Sequence, residues 1–343
     1  NDNDTKDNLD GQDNESKTYY TEYQYQKSIE SIRLNWTSGL LNEYVDAEAE
    51  LFNGKNFKLN HAIFTQFDKK IGKRINLSLG ARYEQFKLET SELYLIDGDS
   101  INSFKAAKPV FRAGINYQIG EGTFLRSSIG QGYRFPSIAE LFIETEVSGG
   151  IYVYQNPELK PEEGWSSEIA IKQGLQFGEW QGYLDVAAFI MEYDNMMEFS
   201  FGQWQQVSGD DLGIGFKSIN IGDTKISGME FSTAASGKIN KTEINLIGGY
   251  TYINAIPKNP DAIYAEDIYG LELNYYNTSS LDSNTLFLKY RHKHIAKLDV
   301  EFKREKLSFG TSFRYNSFMQ NVDYIFVSPV FESGASIKPS FCS

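Results

Sequence analysis

The reading of the fold is decided by residues 129–175. They read IGQGYRFPSIAELF over 129–142 and NPELKPEEGWSSEIAIKQGL over 156–175, with a loop between. Residues Thr123–Arg134 alternate: Leu125, Ile129 and Tyr133 share one face, and Arg126, Ser128, Gly130, Gly132 and Arg134 share the other. That is the period of a strand with one apolar and one polar side. Pro136 has no N–H for a ladder, so the strand must stop there. Ser137 followed by Glu140 is a capping-box pattern, which predicts a helical turn over Ile138–Phe142. Asn156-Pro157 and Lys160-Pro161 then form a stiff pair of turns. Trp165 is expected to open the next strand, with Ile169, Ile171 and Leu175 on its apolar face.

The same alternation spreads in both directions. In residues 75–83, Ile75, Leu77, Leu79, Ala81 and Tyr83 stand against Asn76, Ser78, Gly80 and Arg82, with Glu84 next. Residues 109–117, 180–190, 244–252, 296–302 and 307–315 repeat the pattern, and 57–69 read as a further strand. Residues 28–36 read as an imperfect strand turned by Ser38-Gly39, followed by a strand over 40–50 and a turn at Asn53-Gly54. Connections near 71–74, 120–122, 177–179, 236–241 and 304–306 are short. Those near 90–106, 136–163, 194–217 and 254–284 are long, and the two kinds alternate. Tight turns at one rim and long loops at the other are the asymmetry of an outer-membrane barrel. The expected fold is therefore all-β: an antiparallel transmembrane β-barrel of outer-membrane type. It has about 12 strands, each near the ~9–11 residues needed to span. Outer-membrane lipid is then its first partner.

Composition agrees. The 343 residues include 22 Tyr, 24 Phe and 29 Gly, yet mean hydropathy is only −0.44. Polar lumen-facing residues halve every apolar stripe in such a barrel, and no run of ~18 apolar residues marks a membrane helix. The net charge of −13 makes nucleic acid a poor partner. Cys342 is the only cysteine, which excludes a disulfide framework and a cysteine-based metal site. His292-x-His294 places two histidines on one side of a strand, read as an ordinary strand-end pair rather than a metal site. Asn8, Asp10 and Gly11 hint at a calcium loop, but Lys6 and Lys17 stand at its first and twelfth ligand positions, so an EF-hand fails. Residues 1–17 are expected to be an acidic polar loop or tail. Residues 1–16 show neither the basic nor the apolar region of a signal peptide.

The stretch at 129–175 resembles TonB-dependent outer-membrane receptors. Arg134, Pro136, Ser137, Glu140, Leu141, Asn156, Pro157, Leu159, Lys160, Pro161, Glu162 and Trp165 match that family residue by residue. Asn220, Gly222, Gly228 and Glu230 match a second family segment. Tyr290-Arg291-x-Lys293-His294 matches the lead-in to a late strand. The resemblance implies uptake of a scarce ligand, a ferric siderophore first among the candidates. TonB would supply energy through a plug domain, with the barrel monomeric in the outer membrane of a Gram-negative bacterium. It implies no cofactor beyond iron carried in the ligand, and no bound metal. Arg134, Pro136, Ser137, Glu140, Asn156, Pro157, Pro161, Trp165, Asn220, Gly222, Gly228 and Glu230 are expected to be structural residues of the family motifs, with Arg134 and Glu140 shaping the strand-to-loop exit. Tyr152, Tyr154, Trp204, Tyr264 and Tyr269 are the candidate ligand contacts, since aromatic faces suit catecholate rings and sugars.

Family barrels close about 22 strands around a plug. Nothing in this sequence resembles the plug or its energy-coupling segment. The chain is expected to be a barrel fragment over 18–323, followed by a divergent tail over 324–343, where Pro329 and Pro339 forbid a central strand. Two other readings compete. A soluble all-β glycan-binding or glycan-cleaving protein would draw on Glu140, Glu144 and Glu146, but no pattern assigns an acid and a base. A passive porin lacks a reason for the segments at 134–165 and 220–230. No Gly-x-Ser-x-Gly elbow occurs, and no enzyme is expected.

Overall fold

A computed structural model describes residues 14–327, apart from 53, 97, 210 and 282–284. Aromatic and branched side chains crowd alternate positions, a content that suits a pleated, half-buried surface. In chain order the first strands are β1 (Asn14–Ile29), β2 (Leu34–Ala49), β3 (Gly54–Ile71), β4 (Ile75–Ile96), β5 (Asp99–Gly120) and β6 (Thr123–Arg134). Helix α1 (Ile138–Phe142) follows, then β7 (Thr145–Ser148), β8 (Ile151–Tyr154), β9 (Glu162–Phe177) and β10 (Trp180–Asp194). Next come β11 (Met197–Gln203), β12 (Ile214–Asn220), β13 (Thr224–Ile239) and β14 (Thr242–Pro257). The last are β15 (Ala265–Glu266), β16 (Glu272–Leu273), helix α2 (Tyr275–Thr278), β17 (His294–Arg304) and β18 (Leu307–Asn316).

β1 to β6, β9, β10, β13, β14, β17 and β18 hydrogen-bond in that order into one antiparallel sheet of twelve strands. β1 and β18 are its edges, and no ladder joins them among the described residues. One face carries Leu40, Ile63, Leu79, Phe111, Ile129, Ile169, Met229 and Phe313, each more than half exposed. In water a band of that kind would be an aggregation surface; against lipid it is the contact the fold needs. The other face is polar. Arg126 lies 2.9 Å from Asp185, Arg82 lies 2.7 Å from Glu84, and the Ser78 hydroxyl donates to Asp68 at 2.5 Å.

β4 marks where hydrocarbon ends. As far as Tyr83 its outward positions are apolar; beyond it they are Gln85, Lys87 and Glu89. The inward positions invert at the same level, from Arg82 and Glu84 to Phe86 and Leu88, both buried. The strand thus leaves the membrane and turns its apolar side inward. This corrects the expectation of a long connection near 90–106, which is strand for most of its length. The alternation changes sides there instead of ending, and β4 and β5 continue as a hairpin to Ile96↔Asp99, with a register shift between Glu89 and Tyr94.

Other boundaries also move. Residues 28–36 are not one strand: β1 ends at Ile29, and the chain turns through Arg33, held left-handed at φ 50°. Ser38-Gly39 lies inside β2, where a Cβ on Gly39 would stand 2.4 Å from the Phe64 ring. That glycine is required by close packing rather than by a turn. β1 already includes Asn14–Lys17, while the rest of the 1–17 tail expectation lies outside the described residues, as does the tail from 328 onward. β9 opens at Glu162, before Trp165. β13 runs on to Ile239, so the short connection expected over 236–241 narrows to Asn240-Lys241. Tyr133, expected beside Ile129 on the lipid face, gives its hydroxyl to Glu84 on the interior face. The β5–β6 ladder ends at Arg112↔Gly130, and beyond it β6 pairs with β9 alone, which lets its tip swing inward.

Candidate functional site

The long connections gather at one rim and fold on each other. α1 begins the assembly. Ser137 caps it in a complete capping box: its hydroxyl accepts from Glu140 N, and Glu140 accepts from Ser137 N at 2.8 Å. Glu140 also accepts from Arg134 Nη1 at 2.6 Å. Burial alone would raise the Glu140 carboxyl, but the Ser137 N–H and the Arg134 guanidinium outweigh it and hold the group below the ordinary value. Arg134 Nε reaches Glu162 at 2.7 Å, and the second oxygen of Glu162 accepts from Met197 N at 2.6 Å. One arginine therefore ties the exits of β6 and β9 to the start of β11.

Apolar packing supports the same joint. Leu141 and Phe142 are buried with Phe86, Leu88, Tyr94, Leu159 and Met197. Tyr94 stacks on Phe142 with ring centres 5.1 Å apart. Asn156 donates to the Ser218 carbonyl at 2.7 Å, and Asn220 donates to the carbonyls of Asn195 at 2.7 Å and Lys160 at 3.0 Å. Gly222 sits at φ 89°, a conformation open to glycine without strain. Gly228 lies where a Cβ would stand 2.2 Å from the Tyr252 carbonyl oxygen. Pro136 precedes α1 and Pro157 lies within the 155–161 turn, and Pro161 and Trp165 bracket the entry to β9; Glu230 pairs in register with Ala187 and Thr251.

β11, β12, β8 and β7 form a separate four-stranded sheet above the barrel. Tyr152 and Tyr154 lie on β8, ring centres 6.0 Å apart, in parallel register with Gly215 and Lys217 of β12. Trp204 follows β11, donates to the Gly215 carbonyl at 3.0 Å and covers Gly202. The Lys217 ammonium lies 5.5 Å from the Trp204 ring centre. Three of the five aromatic candidates and one lysine thus converge on one face of this sheet. Burial lowers the Lys217 pKa. Burial, then Asp211, pushes the Tyr154 phenol up; its hydroxyl donates to that carboxylate at 2.7 Å. Tyr264 stands apart beside α2, bonded to Thr278 and to the Asn274 carbonyl. Tyr269 is 73% exposed, and its neighbour Ile268 donates to the Gln203 carbonyl at 3.1 Å, bringing this loop against the Trp204 end of the sheet.

The chemistry on offer is ring stacking and a cation, without a nucleophile–base pair. Among the described residues no group of three or more His, Cys, Asp and Glu could hold a metal. His292 precedes β17 rather than lying on it, with Nδ1 donating to the Ser317 carbonyl at 2.5 Å, while His294 Nδ1 meets the Tyr250 hydroxyl at 2.8 Å. Glu146, one of the carboxylates of the glycan-cleaving alternative, accepts from Gly150 N at 3.1 Å. Lys217 escaped the sequence reading, and Glu162 was matched to the family segment without a partner or role. Only the register of strands far apart in the chain reveals what they face. Among the described residues no helix is long and apolar enough to cross a membrane, which says nothing of a β-barrel.

The family model for TonB dependent receptor-like β-barrels matches residues 1–336. Lactoferrin-binding protein A of Neisseria meningitidis serogroup A is 31% identical over 134 residues, which is 37% of this chain and 12% of that protein. The hemophore receptor HasR of Serratia marcescens, solved with its hemophore HasA and heme, superposes with a TM-score of 0.63 at 16% identity. That match covers 90% of this chain and 53% of HasR. The ferric-catecholate import receptor Fiu of E. coli K12 superposes with a TM-score of 0.60 at 17% identity, over 90% of this chain and 45% of Fiu. At such identities the likeness to the solved structures shows the fold alone. The chain spans about half the length of those receptors and far less of the lactoferrin-binding protein.

Proposed function

Because this chain belongs to the TonB-dependent receptor-like β-barrel family, whose members are transporters and not enzymes, we propose that it supplies barrel wall and outer loops to an importer of a scarce ligand. That ligand is a ferric siderophore, and import across the Gram-negative outer membrane is driven by TonB. The observation that carries the reading is that Tyr152, Trp204 and Lys217 share one face of a loop sheet fixed to the barrel through Arg134, Glu140 and Glu162; Tyr154, only 3% exposed and bonded to Asp211, supports that sheet rather than offering a ring face. Aromatic faces take the flat rings of a chelate by stacking, and a cation beside them favours a ligand of negative charge. A rigid support lowers the ordering cost of binding.

Growth of a strain carrying the intact gene on single defined ferric siderophores tests the assignment. One such ligand should restore growth under iron limitation. Trp204→Ala should weaken binding of that ligand by roughly tenfold or more, as truncation of a buried aromatic anchor does. Failure of every siderophore to bind would refute the ligand class. The 134-residue similarity to lactoferrin-binding protein A favours a second reading, a protein ligand in place of a small chelate. Pull-down with purified lactoferrin separates the two.

A further inference from the structure

Beyond β18 the chain crosses the loop assembly as Asn321-Val322-Asp323. Asn321 is fully buried and bonded on both sides of its amide. Its oxygen accepts from the Ser279 hydroxyl at 2.7 Å and from Ser280 N at 3.1 Å. Its nitrogen donates to the Phe287 carbonyl at 2.6 Å. Val322 exchanges with Ser280 through Ser280 N to its carbonyl at 2.9 Å and its own N–H to the Ser280 hydroxyl at 3.0 Å. These bonds hold the loop that runs between β14 and β17.

Asp323 reaches a different element as well. One oxygen accepts from Lys289 Nζ at 2.5 Å, and the other from the Tyr290 hydroxyl at 2.7 Å and the backbone Phe201 N–H of β11 at 3.3 Å. Lys289 also donates to the Ser200 hydroxyl of β11 at 3.0 Å. The Asp323 and Lys289 side chains are only 2% and 4% exposed. A buried ion pair adds little net stability, yet removing one partner is costly because it strands the other charge. Here the donors that neutralise one carboxylate come from two loops. Moving either loop away strips Asp323 of the ligands that loop supplies and leaves its charge less well satisfied against the other.

We infer that residues 321–323 are a clasp that makes the loop carrying β11 and the loop between β14 and β17 open and close as one unit. Entry past them is then gated by a single cooperative step and not by two independent lids. The coupling itself does not depend on the transporter reading, because it is measured without ligand.

Hydrogen exchange read by mass spectrometry on the intact, detergent-held receptor tests it. Asp323→Asn and Lys289→Met should each raise exchange over 197–203 and over 275–290 together, on the order of 100-fold, by leaving one buried charge unpaired. Combined, they remove both charges, and exchange in both segments should fall back toward wild type. Tyr290→Phe keeps both charges and removes only the two bonds the hydroxyl makes to Asp323, one donated to the carboxylate and one accepted from its N–H, so it should give the same paired response at about tenfold if the stronger variants fail to fold. Exchange that rises in one segment only, does not rise, or is as fast in the double variant as in the singles would overturn the clasp.

Discussion

Glu140 shows how much a single position can gather. It closes the capping box on Ser137, and it receives Arg134 from the end of β6. The first contact was readable from three-residue spacing, because a capping box is local chemistry. The companion bond of Arg134 to Glu162 was not readable, since only the β6–β9 register sets those residues opposite each other. Tyr133 failed for a related reason: alternation gave its face, but the loss of its β5 partner decided where it pointed. Glu140→Ala should destabilise α1 by about 1–3 kcal/mol, through a lost capping-box bond and the Arg134 Nη1 donor left without its carboxylate, while Arg134 Nε keeps Glu162. Faster amide exchange over 138–142, with β6 and β9 unchanged below Arg134, is the expected result.

Among the elements, the loop sheet and the β4–β5 hairpin were the least legible. Their strands are short or switch polarity, so neither a period of two with polar exteriors nor a turn signal announces them. β11 carries Glu198, whose side chain is 7% exposed and lies 3.6 Å from Arg291. Burial pushes its carboxyl above the ordinary 4.5; Lys289 and Arg291 pull it down, Asp323 and Glu162 push it further up, and the net direction is upward. The closed form therefore holds this proton more tightly than an opened one. Its contribution to closure is fully present below pH 4.5 and is lost as pH rises through the raised folded value. Exchange over 197–203 should slow as pH falls through that window, after correction for intrinsic rates. In Glu198→Gln that slope should vanish.

For the whole molecule the order of strands and the two rims were legible, because alternation and the lengths of connections are properties of the chain itself. The height of the membrane was not. It emerged at Tyr83, where lipid-side positions turn polar and interior positions turn apolar. This boundary carries its own prediction. Leu79→Arg, within the band, should cost about 2–4 kcal/mol in reversible unfolding from lipid vesicles. Lys87→Leu, beyond it, should leave that transition nearly unchanged. The central claim is that neighbouring residues of one strand meet different solvents. Its most direct test places a nitroxide label at each position from 75 to 83 in the intact receptor reconstituted in lipid, with Cys342 replaced by Ser. Collision rates with oxygen and with a water-soluble nickel chelate are then compared. Ile75, Leu77, Leu79, Ala81 and Tyr83 should favour oxygen, and Asn76, Ser78, Gly80 and Arg82 the chelate or neither. A profile with no period of two, or one in which the even positions are the oxygen-accessible ones, would contradict the barrel.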